Sequence, residues 1–243
     1  MTYCVGMLLN KGLVFMSDTR TNAGVDNIST ARKMHSWSVP GERMITLMTA
    51  GNLATTQSVV SILDERTKAV GDRNPSILEA PSMFQVARIV GQTLKDVIAS
   101  NADTGETADA SFGATMIVGG QIEGSAPRLF LIYPEGNFIE ASEDNPFFQI
   151  GETKYGKPIL VRAYEPEMSF EDAIKLLLLS FDSTIKANLS VGLPIDYATY
   201  PSDSLMPSEH RRIEPGDVYF ETISDAWGNA LREAFRQLPD FKP

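Results

Sequence analysis

Histidine and cysteine are almost missing from this chain. Its 243 residues include two histidines, His35 and His210, and one cysteine, Cys4. A single cysteine excludes an internal disulfide and suits a reducing compartment. So small a donor set makes a poor zinc site. Any Ser-His-Asp or Cys-His mechanism would have to enlist one of the two histidines. His35 lies in the strand-like run Met34-His35-Ser36-Trp37, and His210 stands beside Arg211 and Arg212. Both read as structural or surface residues, and Cys4 as a small core residue. Long apolar runs are absent as well: none reaches the roughly 18 residues that suggest a membrane span. Positive charge is scarce, with 21 Lys plus Arg against 31 Asp plus Glu and a net charge of −10. Without a basic run, nucleic acid is excluded as the main partner. No Gly-rich phosphate loop is found, and nothing implies a cofactor. The N-terminus has no basic stretch, apolar core and small-residue cleavage site in series, so the expected location is cytoplasmic.

What is present is a globular composition, 43% hydrophobic and 21% charged. A chain of this length buries roughly 70–75% of its unfolded surface and needs no staple. Residues 1–9 and 13–18 read as two strands around Asn10-Lys11-Gly12, and residues 33–39 and 43–50 as a second hairpin around Pro40-Gly41. These strands are apolar on both faces, which implies cover on both sides. A helical stretch follows over about 52–70. Ser82-x-x-Gln85 caps a second helix that carries Val86, Ile89, Val90, Leu94 and Val97. Residues 101–111 read as a loop. Short strands are expected at 112–118, 128–133, 138–141 and 147–150, then a helix opened by Ser169 and Asp172. The tail holds strands near 195–200 and 218–220, an exposed loop over 201–207, and a helix over about 224–238. Clustered strands with segregated helices make this an α+β chain. Two facing sheets with helices outside give a four-layer αββα sandwich, one domain over 1–243 with a strand and helix extension from about 195.

The N-terminus carries the chemical signal. Thr2 has a small side chain, of the type that follows an excised initiator Met. Loss of Met1 would place a free amine beside a hydroxyl, a nucleophile with its own base. An α-amine titrates at about 7.7–8.0, so part of it is neutral near pH 7, and a nearby Lys would lower that further. If Leu9 pairs with Leu13, Cys4 faces Asp18 and Thr2 faces Arg20, so that Thr2, Asp18 and Arg20 share one end and one face of the hairpin. If Val39 pairs with Arg43, Lys33 faces Thr49, next to Ala50-Gly51. The Gly51 N–H, at a strand-to-helix junction, is a good oxyanion donor. Plainer readings stand beside these. Thr2 is then only the first residue of a strand, Asp18–Lys33 a structural ion pair, and Gly51 a tight turn.

Thr2, Ser17-Asp18-Thr19-Arg20, Arg32-Lys33-Met34 and Thr49-Ala50-Gly51 resemble the N-terminal half of a proteasome β-subunit. The run from Asp18 to Thr30 and the run Ala50-Gly-Asn-Leu-Ala-Thr-Thr-Gln57 are similar to the bacterial ancestral β-subunit, or Anbu, branch. The resemblance covers most of the chain. It implies a threonine-type N-terminal-nucleophile hydrolase of peptide or small amide bonds. Thr2 would be nucleophile and base, Asp18 the partner of Lys33, Arg20 a support and Gly51 the oxyanion donor. It also implies a large homo-oligomer, ring or open spiral. Where proteasome β-subunits carry a supporting Asp and Ser, this chain has Asn188-Leu-Ser190-Val-Gly192, and Gly151-Glu152 stands in for an upstream Ser. A catalytically weak assembly protein and a small-amide acylase are the alternative functions.

Overall fold

The computed structural model describes residues 2–22, 28–68, 75–101, 112–206 and 209–242. Met1, the expected helix end at 69–70, nearly all of the expected loop at 101–111 and Pro207 lie outside the described residues. The strands are β1 (Tyr3–Leu9), β2 (Gly12–Asp18), the short β3 (Arg20–Asn22) and β4 (Ile28–Thr30), β5 (Met34–Val39), β6 (Arg43–Gly51), β7 (Ala114–Ile122), β8 (Arg128–Ile132), β9 (Phe138–Glu140), β10 (Phe147–Gly151), β11 (Ile195–Pro201) and β12 (Glu209–Ile213). The helices are α1 (Leu53–Lys68), α2 (Met83–Asn101), α3 (Lys157–Ala163), α4 (Phe170–Ala187) and α5 (Val218–Gln237). One antiparallel sheet has the order β10-β1-β2-β11-β12 and the other β5-β6-β7-β8-β9. No described helix is long and apolar enough to cross a membrane.

Three apolar clusters explain the strands with two apolar faces. Cys4, Leu13, Phe15, Met44, Met48, Ile117, Leu129 and Tyr200 pack between the sheets. Tyr3, Val5, Met7, Val14 and Met16, on the other face of the first sheet, meet Leu177, Leu178 and Phe181 of α4. Ile45, Leu47, Val118 and Phe130 of the second sheet meet Val59, Val90 and Leu94 of α1 and α2. Both faces of each sheet are therefore dry, and the order of layers is αββα, as the pattern of the sequence implies. Phe15 is fully buried in this core, and truncating it to Ala costs about 3–5 kcal/mol. The caps read from sequence form: Ser82 Oγ accepts the Gln85 N–H, and Ser169 Oγ accepts the Asp172 N–H at 3.0 Å.

Several boundaries differ from expectation. The first hairpin turns on Asn10 and Lys11 alone, with Leu9 opposite Gly12 and Cys4 opposite Ser17. The reason is β11, which runs against β2. A Cβ on residue 12 would lie 1.9 Å from the Tyr200 carbonyl oxygen, so glycine belongs inside the strand and not in the loop. Residues 218–220 open α5 instead of forming a strand. Asp217 accepts the Phe220 N–H at 2.8 Å and caps the helix there, which overrides the strand preference of Val218 and Tyr219. Strand β12, expected as a polar stretch around His210, pairs with β11 at the sheet edge. Helix α3, with Pro158 in its first turn, is 7 residues long and too short to show a period.

Candidate active site

The corrected register changes how the residues near Thr2 meet. Ser17, not Asp18, lies opposite Cys4. One step further, Asp18 reaches the β1 backbone and accepts the Tyr3 N–H on Oδ1 at 2.9 Å. The same oxygen accepts Lys33 Nζ at 2.7 Å, and both side chains are buried. Lys33 Nζ also donates to the Arg20 carbonyl at 2.6 Å. Asp18 and Lys33 thus form an ion pair fastened to the peptide bond that joins Thr2 to Tyr3. Burial is the largest influence on Asp18 and pushes its carboxyl above the usual range, while Lys33 and the backbone N–H groups of Tyr3 and Gly192 oppose it. Lys33 itself is placed by the second hairpin, where its carbonyl accepts the Thr49 N–H at 3.0 Å, in the expected register.

Thr2 is half-buried and held from both directions. Behind it, Tyr3 is anchored into α4. Its hydroxyl is 2.7 Å from Ser180 Oγ, accepts Gln149 Nε2 at 2.7 Å, and its ring packs on Phe181 at 4.4 Å. Burial pushes the Tyr3 phenol up to about 12, so it stays protonated. Beside it, the Glu152 N–H donates to the Thr2 carbonyl at 2.7 Å. Gly151 has φ +80°, and a Cβ there would come within 2.0 Å of that carbonyl oxygen. The approach of β10 to Thr2 therefore requires glycine.

Gly51 ends β6 with φ +116°, where a Cβ would lie 2.5 Å from the Gly113 carbonyl oxygen. Backbone N–H groups alternate along a strand. The Thr49 N–H points to Lys33, so the Gly51 N–H points to the same edge of the sheet, past the end of β5. Arg20 is directed elsewhere. Its Nη1 donates to the Leu189 carbonyl at 2.8 Å, and its guanidinium lies against Gly192, fixing the loop after α4. His35 and His210 stand apart from these residues. His210 Nε2 is 2.9 Å from Ser36 Oγ, and burial lowers the pKa of both rings. Cys4 Sγ faces the Thr49 carbonyl at 3.7 Å, and burial raises its thiol pKa steeply. It is inert at neutral pH. No group of three or more His, Cys, Asp and Glu able to hold a metal occurs among the described residues.

One polar atom at this end, Ser17 Oγ, is buried without a hydrogen-bond partner. It could not be read from the sequence, because the shifted register decides which residue faces inward. Residues 2–199 match the family described as Proteasome subunit. The chain belongs to the proteasome subunit family. It is 46% identical to Anbu (ancestral beta-subunit) from Yersinia bercovieri, with a TM-score of 0.91 over 99% of this chain and 100% of that one. It is 45% identical to the Pseudomonas aeruginosa protein solved as a helical assembly of the Anbu complex, with a TM-score of 0.91 over 99% and 98% of the two chains. A proteasome subunit beta of Methanopyrus kandleri is 24% identical over 204 residues, 82% of this chain and 86% of that protein. The four-layer sandwich is thus the fold of proteasome-like N-terminal-nucleophile hydrolases, close to Anbu.

Proposed function

We propose that this chain is an N-terminal threonine hydrolase of peptide or small amide bonds that works within a large homo-oligomer. One observation supports it above the others: a buried Asp18–Lys33 pair holds the peptide bond that follows Thr2. After removal of Met1, Thr2 Oγ attacks the carbonyl carbon and the α-amine takes the Oγ proton. Lys33 keeps that amine neutral at rest. The Gly51 N–H receives the oxyanion of the tetrahedral intermediate. The C–N bond then breaks, the ammonium returns its proton to the leaving nitrogen, and an ester remains on Oγ. Water, deprotonated by the same amine, hydrolyses the ester and frees Thr2. Arg20 acts only on the loop around the site.

Self-assembly is supported by α5. Leu231 and Phe235 are exposed one turn apart on its far half, and Leu238 and Phe241 are exposed just past its end. The same observation favours a second reading, in which assembly matters more than turnover. Covalent trapping separates the two. Intact mass should show Met1 absent, and an electrophile selective for N-terminal threonine should add one label to wild type and none to Thr2→Ala. A chain that keeps Met1, or a Thr2→Ala chain that still takes the label, would sink the threonine mechanism.

A further inference from the structure

Four carboxylates are buried among the described residues: Asp18, Glu152, Asp182 and Asp196. Three have a cation, Lys33 at 2.7 Å, Lys186 at 2.9 Å and Arg212 at 2.6 Å respectively. Glu152, 7% exposed, has no cation among the described residues. It accepts the Lys154 backbone N–H on Oε1 at 3.0 Å and Asn188 Nδ2 on Oε2 at 3.1 Å. Two neutral donors compensate poorly for a buried charge, and buried charges are ordinarily paired. Its position shows which cation it would meet. Strand β10 pairs Gly151 with Tyr3, so the next step of the register sets Glu152 opposite Thr2. The Glu152 N–H already donates to the Thr2 carbonyl. In an extended strand the N–H and C=O of one residue point to the same edge. The Thr2 nitrogen is therefore directed at Glu152, as its oxygen is.

We propose that Glu152 is the carboxylate that receives the α-amine of Thr2 once Met1 is gone, with Asn188 holding it in place. Asn188 suits that task. It ends α4 and fixes its own side chain by accepting the Ser190 N–H on Oδ1 at 3.0 Å. This inference rests on the N-terminal threonine reading. The amine then lies between opposite charges. Lys33, held by Asp18, favours the neutral base before attack. Glu152 meets the positive charge that appears when the amine nitrogen takes the Oγ proton and the Oγ–carbon bond forms. The remaining titratable groups nearby do not substitute for it. Tyr3 stays protonated, Cys4 is a buried thiol, Arg20 is engaged on the 189–192 loop, and Lys154 is exposed.

The test is titration of the Thr2 α-amine, read without any substrate. The full-length chain, shown by intact mass to lack Met1, is labelled with an amine-reactive acylating probe across pH, and the N-terminal peptide is quantified. In Glu152→Gln the midpoint should fall by about one pH unit or more, because an opposite charge has been removed from beside the ammonium. In Asn188→Asp, which adds a carboxylate at the same place, it should rise. A merely structural role for Glu152 moves the thermal midpoint of unfolding and leaves the amine midpoint where it was. An unmoved amine in a folded Glu152→Gln chain overturns the proposal and leaves the hydrolase reading standing. Should Glu152→Gln not fold, an unmoved amine in Asn188→Asp overturns it equally. A shifted amine in a chain that cleaves no amide upholds the pairing and sinks the hydrolase reading. A wild-type chain that retains Met1 overturns both.

Discussion

The two ends of the sandwich both bury polar side chains and treat them in opposite ways. At the end far from Thr2, Gln121 is 1% exposed and makes every hydrogen bond it can. Its Nε2 donates to the Ser125 carbonyl and to Asp203 Oδ1, both at 2.6 Å. Its Oε1 accepts the Tyr200 hydroxyl and the Asp203 N–H, both at 2.8 Å. Tyr200 OH in turn accepts the Leu205 N–H. This network is closed and ties the 201–206 loop to both sheets. At the Thr2 end, Ser17 Oγ has no hydrogen-bond partner and Glu152 has no cation among the described residues. A closed network serves stability. The open end is the one that holds Thr2 and the Asp18–Lys33 pair.

Four substitutions probe that contrast. Lys33→Ala should have the largest effect. A lost general-base system costs about 10²–10⁴-fold in turnover, and the unpaired Asp18 left behind costs about 3–5 kcal/mol in folding. Both are read by peptide hydrolysis and by denaturant unfolding. Retained turnover in a folded Lys33→Ala chain would remove the site reading. Next, Gln121→Leu at the closed end should cost about 2–4 kcal/mol, since Tyr200 and Asp203 are left with unmet polar groups. The rate of electrophile labelling at Thr2 should not change. A slowed label would mean that the two ends are coupled. Tyr200→Phe removes a single hydroxyl and should cost about 1 kcal/mol by the same unfolding measurement. Ser17→Ala should be smallest, within about 0.5 kcal/mol of wild type or slightly stabilising, because it deletes a buried hydroxyl that has no partner. A loss comparable to that of Tyr200→Phe would show that Ser17 is satisfied after all and that the contrast between the ends is false.

Legibility followed the same division. The layers were readable because Val5, Met7, Phe15 and Met16 leave neither face of the first hairpin polar, and because α2 and α4 show clear periods capped by Ser82 and Ser169. Lys33 opposite Thr49 follows from a three-residue loop, Pro40-Gly41-Glu42, that pairs Val39 with Arg43. The first hairpin was off by one residue because the constraint on Gly12 comes from Tyr200, far along the chain, and local turn chemistry does not contain it. For the same reason Asp18 lies one step beyond the residue opposite Cys4, and the face expected to join Thr2, Asp18 and Arg20 does not form, while the Asp18–Lys33 pair implied by the resemblance does. The resemblance places Gly151-Glu152 and Asn188 at supporting positions of the site, but the sequence does not show what Glu152 would do there. Its significance lies in a missing cation, and only burial, which a sequence does not state, makes a missing cation matter.

The position of β11 has a consequence in time. It lies inside the first sheet, pairing with β2 from Ile195 opposite Asp18 to Pro201 opposite Gly12. Strand β10 covers the other edge of the β1–β2 hairpin. On a ribosome that hairpin emerges before β10 and β11, so both its edges stay bare until those strands have been made. A two-stranded hairpin is marginal alone, and bare apolar edges invite pairing with other chains. Chains released at Ala187 should therefore collect as aggregates in a pelleting assay, while chains released after Ile213 should remain dispersed. The residues around Thr2 are translated before β10 and β11, which enclose them, so a chain that stops short of β11 has no finished site.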